Sequence, residues 1–510
     1  MGHSDVKQVC ILGGGTAGWM TAAGLSHKLA SLGVSITVIE SDQIGTVGVG
    51  EATLPHIRYF NQSLGIDEAA FMKATNATIK LGIEFCDWGR VGDRYIHPFG
   101  DFGKPINGVE FYQHWIRLNQ LGKAERLGDY SYPVVAAEAG RCRHPSSDIS
   151  KIESTFGYAY QFDSSLYAKF LRSYSESKGV QRIEGKVTDV RCHPETGFVE
   201  ALILESGATV SADLFIDCSG FRGVLIEQTL KTGFEDWSHW LPCDRAIAVP
   251  CTSADTITPY TRATARPAGW QWRIPLQHRT GNGHVYWSEF ISNEEALNQL
   301  LSSLDGEPLA DPNQLYFKTG KRKKLWNRNV ISIGLSGGFL EPLESTSIYL
   351  IQEGITGLLE LFPDVSCAKT DVDEYNRRMD LQFERIRDFL LLHYTATQRD
   401  DSEMWRYFKA MTLPDTLQEK IEGWKERGLV QRYEFGVFLP PSWVAVMVGQ
   451  NLTPHGFDPR AGTLSDNELM RAATTQRDEI EHAVANTSHH IEFLQSIHAA
   501  IEEDQKATAT

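Results

Sequence analysis

The chain has 510 residues, 42% of them hydrophobic and 10% aromatic, which is too long for one compact core and suits two or three packed modules of an ordinary globular enzyme. Lys and Arg number 49 against 65 Asp and Glu, a net charge of −16, and such a surface repels phosphate backbones and argues against a nucleic-acid partner. No run approaches the roughly 20 apolar residues that span a bilayer, and the apolar run at 9–12 is too short for a signal-peptide core, so a cytoplasmic protein with no membrane partner is expected.

The chain opens as strand, loop, helix, strand. Residues 9–12 read as a buried strand, 13–18 as a tight loop, 19–32 as a helix ended by Gly33, and 34–39 as the next strand, closed by Glu40. A Gly-rich extended segment follows at 45–55, then a helix at 67–74. Residues 79–85 alternate, with Lys80, Gly82 and Glu84 on one face and Ile79, Leu81, Ile83 and Phe85 on the other, the pattern of a strand. Residues 86–150 are aromatic and loop-rich. Beyond them come a helix at 164–178, a meander of strands at 187–190, 199–205 and 209–210, and two segments (213–220 and 330–338) in which an apolar strand runs into a Gly/Ser turn. Further strands are expected within 245–320, and a helix from about Ser345. After residue 362 the pattern is helical, at 371–394, 414–427 and 466–503, the last broken near Asn486. The eight cysteines are scattered, with no Cys-x-x-Cys and no zinc spacing, so neither a disulfide framework nor a metal site is expected. The reading is an α/β chain: a nucleotide-binding, Rossmann-like module over 1–360, with the aromatic insertion at about 86–150 contributing to the substrate site, and a mostly helical capping module over 361–510.

Gly13-x-Gly15-x-x-Gly18 lies between the first strand and helix. The first glycine permits the turn, the second lets the backbone approach a pyrophosphate, and the third lets the helix pack close on the strand. The helix start, with Thr16 and Ala17, offers free N–H groups to the anion. Glu40, at the end of the next strand, is placed to accept from ribose hydroxyls, which leaves NAD and FAD open and disfavours NADP. The later strand-turn segments, Gly334 among their residues, supply the extra backbone contacts a long FAD needs. No second GxGxxG is present for NAD(P)H, so the electrons arrive from elsewhere.

Four segments, in chain order, resemble the flavin-dependent tryptophan halogenase family: Gly13-Gly14-Gly15-Thr16-Ala17-Gly18-Trp19, Gly48-Val49-Gly50-Glu51-Ala52-Thr53-Leu54-Pro55, Trp270-Gln271-Trp272-Arg273-Ile274-Pro275, and Phe339-Leu340-Glu341-Pro342-Leu343-Glu344-Ser345-Thr346. The resemblance implies an enzyme that takes FADH2 from a separate NAD(P)H-dependent reductase. The reduced flavin meets O2 to give a C4a-hydroperoxide, a halide (bromide or chloride) is oxidised to hypohalous acid, and that acid reaches a lysine beside an indole-type substrate. The lysine either hydrogen-bonds it or forms a haloamine. A flavin-dependent aromatic hydroxylase using the same hydroperoxide is the alternative.

Residue by residue, the resemblance puts Lys80 at the family's lysine and Glu344 at its active-site glutamate, with Lys73 and Glu341 as neighbouring competitors. An ammonium can hold and polarise an oxidised halogen, and a carboxylate can take a ring proton. Thr346 and Ser347 fall where backbone amides hold the halide; Ser347 replaces the family's glycine, which leaves halide preference open, and the expectation leans toward bromide because it is easier to oxidise than chloride. Val49, Gly50 and Ala52 belong to the flavin-contacting strap, Trp270 and Trp272 to the site wall, and His97 and Phe99 to the rings around the indole. Bland readings stand beside these: a strand lysine, a helix-start carboxylate, core tryptophans, a loop histidine. Tryptophan-specific members grip the amino-acid end with an adjacent tyrosine pair. This chain has none and carries Pro440-Pro441-Ser442-Trp443 in that region, so Trp443 is the expected substrate contact and an indole without the zwitterion the expected substrate.

Overall fold

A computed structural model describes residues 4–43, 50–253, 256–497 and 499. They fall into two compact units, each assembled from three stretches: 1–76, 162–242 and 317–384 in the first; 77–161, 243–316 and 385–510 in the second. Neither unit coincides with 1–360 or 361–510.

The first unit is built on a six-stranded sheet in the order Trp326–Asn327, Val330–Ser332, Leu214–Asp217, Gln8–Leu12, Ser35–Glu40, Gln181–Glu184. All neighbours run parallel except the first pair. Central strands of a parallel sheet are covered on both faces, and the continuous runs Val-Cys-Ile-Leu and Leu-Phe-Ile-Asp are accordingly buried. The crossover helix is Thr16–Leu29. It starts earlier than position 19 because only Gly13 to Gly15 form the turn; Gly15 is the N-cap and Gly18 lies inside the first turn. A three-stranded meander, Val187–Cys192, Val199–Leu204 and Thr209–Ser211, packs Val199, Leu202 and Leu204 against Leu12, Ile39 and Phe215.

The second unit holds a seven-stranded sheet in the order Asn313–Tyr316, Arg245–Cys251, Thr280–Tyr286, Gly269–Pro275, Thr261–Arg266, Gly82–Cys86, Arg94–Pro98. Its pairs are antiparallel except Thr261–Arg266 with Gly82–Cys86. The expected single strand at 79–85 is two, Thr78–Lys80 and Gly82–Cys86. Leu81 separates them, its amide donating to the Pro259 carbonyl and its carbonyl accepting from Phe99. The alternation misled because both faces are buried: Glu84 is sheltered by ion pairs to Arg94 and Arg262, at 2.8 and 2.6 Å. The aromatic stretch 86–150 also carries helices, Phe111–Gln120 and Tyr132–Glu138.

The helical part is as expected in kind: Lys369–Thr395, Asp415–Arg427 and Asp466–Ala485, the last closed by Asn486. Ser465 and Glu468 form a capping box at its start. Among the described residues no helix is long and apolar enough to cross a membrane, no acidic, His or Cys group is placed to hold a metal, and no disulfide joins any of the eight cysteines.

Candidate active site

In the first unit the glycine loop closes on the neighbouring strand ends. Gly13 has φ 117°, and a Cβ there would lie 2.3 Å from the Cys218 carbonyl oxygen; one on Gly18 would lie 1.8 Å from the Gly13 oxygen. Gly334, at φ 78°, brings its backbone to the Ala17 methyl, where a Cβ would approach to 2.8 Å. Gly13, Ala17, Gly18 and Gly334 thus meet around one helix start. Gly15 caps the helix without a side-chain hydrogen bond, which leaves the first-turn amides, including those of Thr16 and Ala17, for an anion.

Glu40 ends its strand with a carboxylate already engaged. It accepts from Trp19 Nε1 at 3.2 Å and pairs with Arg172 at 3.3 Å and with Arg182. Sequence reasoning missed Asp217, a fully buried carboxylate that shapes the facing loop. It accepts from the Ser219 amide and hydroxyl at 3.0 and 2.6 Å, and from the Leu225 and Ile226 amides at 2.8 Å each. Val49 lies outside the described residues. Gly50 and Ala52 form the short strand Gly50–Ala52, buried at both ends, and burial pushes the Glu51 carboxyl between them up to about 7.

Glu344 closes a short 3-10 turn, Pro342–Glu344, and is fully buried; Glu341 is buried too. Ser345 turns the chain through the left-handed region at φ 60°, and Thr346 caps the helix Ser347–Glu360. The Thr346 side chain is 1% exposed, and its hydroxyl oxygen has no hydrogen-bond partner among the described residues. Ser347 is half-buried at the first helical position.

The two lysines part company: Lys73, in the first unit, is exposed, whereas Lys80, in the second, is 0% exposed. Its strand pairs antiparallel with 159–161, Lys80 opposite Ala159. The Lys80 Nζ lies 5.2 Å from the centroid of the Phe99 ring, within cation–π range. His97 and Phe99, both buried, meet edge-on at 6.3 Å. His97 also faces Phe389 at 5.6 Å and Phe438 at 6.1 Å, and those two rings stack at 3.9 Å. Trp443, buried on the helix Pro440–Gly449, packs on Phe389 at 4.9 Å and donates to the Phe438 carbonyl at 3.1 Å. The structure therefore brings the expected Lys80, His97, Phe99 and Trp443 into one aromatic set.

Beyond Trp443 lies a buried cation, Lys420, with its Nζ 3.8 Å from the Tyr433 ring centroid and 4.5 Å from that of Trp443. Burial, aided by Arg385, holds its pKa down at about 8. Phe389, Phe438 and Lys420 had no sequence signal, because only the fold places them beside His97 and Trp443.

Trp270 and Trp272 stand on the strand Gly269–Pro275, both buried, with centroids 6.1 Å apart. The Trp272 indole covers Gly283 of the next strand, where a Cβ would lie 2.0 Å from the ring.

The parallel sheet, the glycine cradle at an uncapped helix start and the acidic strand end define a dinucleotide-binding flavoprotein of Rossmann-like fold, and these residues fit FAD. The sequence profile of tryptophan halogenases matches residues 8–466. A tryptophan 6-halogenase of Streptomyces toxytricini is 37% identical over 477 residues, covering 88% of this chain and 90% of that protein. Among solved structures, the flavin-dependent halogenase BrvH from Brevundimonas sp. BAL3 superimposes with a TM-score of 0.94 at 44% identity, covering 96% of this chain and 99% of that one. A flavin-dependent halogenase from Xanthomonas campestris gives 0.93 at 44% identity, covering 97% and 98%. The chain belongs to the tryptophan halogenase family and is a flavin-dependent halogenase.

Proposed function

We propose that this enzyme uses FADH2 from a separate flavin reductase, O2, and bromide or chloride to make hypohalous acid, and that Lys80 delivers the halogen to an indole-type arene. The observation that carries the reading is a lysine with no exposed surface, facing the Phe99 ring, at the position the family motif marks. A lysine costs several kcal/mol to bury and is kept there when its charge or its amine has a task.

Bound as FADH2, the flavin would supply two of the four electrons that O2 takes up, the other two coming from the halide as it is oxidised to hypohalous acid. Gly13, Gly15, Thr16, Ala17, Gly18 and Gly334 would hold its pyrophosphate side, Glu40 its ribose, and Val49, Gly50 and Ala52 its strap face. The amides of Thr346 and Ser347, at the start of a 14-residue helix, favour an anion, and the buried Thr346 hydroxyl adds a donor. Trp270 and Trp272 form a wall.

The Lys80 ammonium hydrogen-bonds the hypohalous oxygen. As the O–X bond breaks, its electron pair stays on oxygen, which takes the ammonium proton and leaves as water. The ring carbon bonds X and loses its proton to a base, the role the family motif gives the Glu344 carboxylate, and the lysine regains its proton from water. The arene is held by His97, Phe99 and Trp443. Curated relatives are named for tryptophan; here the absence of an adjacent tyrosine pair favours an indole lacking the zwitterion, since a buried ammonium and carboxylate need partners.

Lys80→Ala tests the reading in an indole reaction followed by mass spectrometry. Haloindole should fall by about a thousandfold, while reoxidation of FADH2 by O2 stays within about twofold of the parent. An oxygenated product formed at the same rate without halide would sink the proposal in favour of a hydroxylase.

A further inference from the structure

The strand that presents Lys80 has only three residues, Thr78–Lys80. So short a strand is held by what its edges meet. On one side it pairs with 159–161. The amide of Ile79 is not part of that pairing; it donates to Nε2 of His490 at 3.2 Å. The other ring nitrogen of His490, Nδ1, stands 2.9 Å from the Ile257 carbonyl. An amide only donates and a carbonyl only accepts, so the imidazole must be neutral with its proton on Nδ1. His490 is 1% exposed, and burial pulls its pKa down to about 4, which keeps it in that form.

The ring itself is fixed from behind. The His490 amide donates to the Gly140 carbonyl at 2.9 Å, and the Cys142 amide to the Ser488 carbonyl at 3.1 Å. Arg141 bonds the Thr487 carbonyl, the Tyr132 hydroxyl meets the Thr487 hydroxyl at 2.8 Å, and Phe493 packs edge-on to His144 at 5.0 Å. On the other side of Ile79, the Thr78 hydroxyl donates to the Pro275 carbonyl at 2.7 Å and accepts from Gln161 at 3.0 Å. The residue before Lys80 is thus clamped by a side chain more than 400 positions along the chain.

We infer that His490 is a positioning residue for halogen transfer: by accepting the Ile79 amide it fixes the backbone that aims the Lys80 amine. The inference rests on the reading of Lys80 given above. Without an acceptor this amide is a buried orphan, and the strand relaxes to find one. A displacement of about an ångström at a reacting group costs up to about a hundredfold in rate.

The full-length holoenzyme tests it with His490→Gln and His490→Asn. The longer amide carries an oxygen to the Nε2 position and an acceptor to Ile79; the shorter one reaches only toward Ile257. Three readouts are taken: haloindole per FADH2 reoxidised, oxidised halide caught by a diffusible thioether, and hydrogen exchange of the peptide containing Ile79. We expect the Gln variant within about twofold of the parent, and the Asn variant about tenfold lower in haloindole per FADH2, with more halogen caught by the thioether and faster exchange at Ile79. An Asn variant that exchanges faster yet keeps the parent's yield overturns the inference, as does an equal loss in both variants. Should the Asn variant lose its flavin, the Gln variant decides alone: a parental yield with a protected Ile79 amide supports it, and a tenfold loss with flavin retained overturns it. Lys80→Ala runs alongside, and haloindole persisting there removes the reading of Lys80 and this inference together.

Discussion

The glycine cradle of the first unit and the aromatic set of the second are built from opposite materials. The cradle is backbone: its Gly13, Gly18 and Gly334 contribute by what they lack, and each leaves no room for one more carbon. The aromatic set is side chain, made of His97, Phe99, Phe389, Phe438 and Trp443, rings that meet at 3.9 to 6.3 Å. A surface of close-approaching backbone answers to change in an all-or-none way, because strain between backbone atoms has nowhere to relax. A surface of rings answers in degrees, because lost area is partly refilled by neighbours.

Gly18→Ala is the sharpest way to break the comparison. Its Cβ would lie 1.8 Å from the Gly13 oxygen, so the loop must open; we expect a purified protein without flavin colour and destabilised by about 4 kcal/mol, read by absorbance and thermal melting. A Gly18→Ala protein with parental flavin content would show that the cradle bends after all.

Next in size, taken group by group, is the effect of acid on two buried histidines of the second unit. His284 and His490, both buried there, are held neutral with pKa values near 4, by burial first and against the help of a carbonyl acceptor. An unfolded histidine takes its proton near 6.5, so between those values the unfolded state binds more protons. Their stabilising contribution is whole above about pH 6.5 and is lost as the pH falls toward 4, on the order of 3 kcal/mol for each. Urea melts across this range check it, and replacing His284 by Gln should flatten the slope.

The smallest effect expected is at the stacked pair. Phe438→Leu keeps most of the apolar volume facing Phe389 and should cost about 1 kcal/mol in stability, with a few-fold rise in KM for indole and kcat nearly unchanged. A loss as large as that of Gly18→Ala would mean the rings are as unforgiving as the loop.

The same contrast governs what could be read from the residues in order. Most of the cradle is local: Gly13, Gly15, Gly18 and Glu40 lie within one strand-helix-strand stretch, and their spacing is the fold's own, while Gly334 comes from a later strand-turn segment. Lys80 and Glu344 were placed by family motifs, and both side chains are buried. The aromatic set is not local. His97 and Phe99 were found by motif and Trp443 by region, whereas Phe389 and Phe438 carry no mark of their own in the chain. His490 was invisible for a further reason: its partner is a backbone amide, which every non-proline residue possesses, so nothing in the sequence distinguishes Ile79 as the one that needs it. The division of 79–85 into two strands was lost because alternation reports exposure, and here Lys80 and Glu84 are buried along with Ile79 and Ile83.

Glu40 offers a last consequence. Two guanidinium groups and an indole N–H already hold its carboxylate, so the rotamer is chosen before any ribose arrives. Ordering a free glutamate would cost part of each hydrogen bond it makes to a ligand. Here that ordering is done once, during folding, so that under the proposed role of Glu40 an arriving ribose meets an acceptor that already points in its final direction.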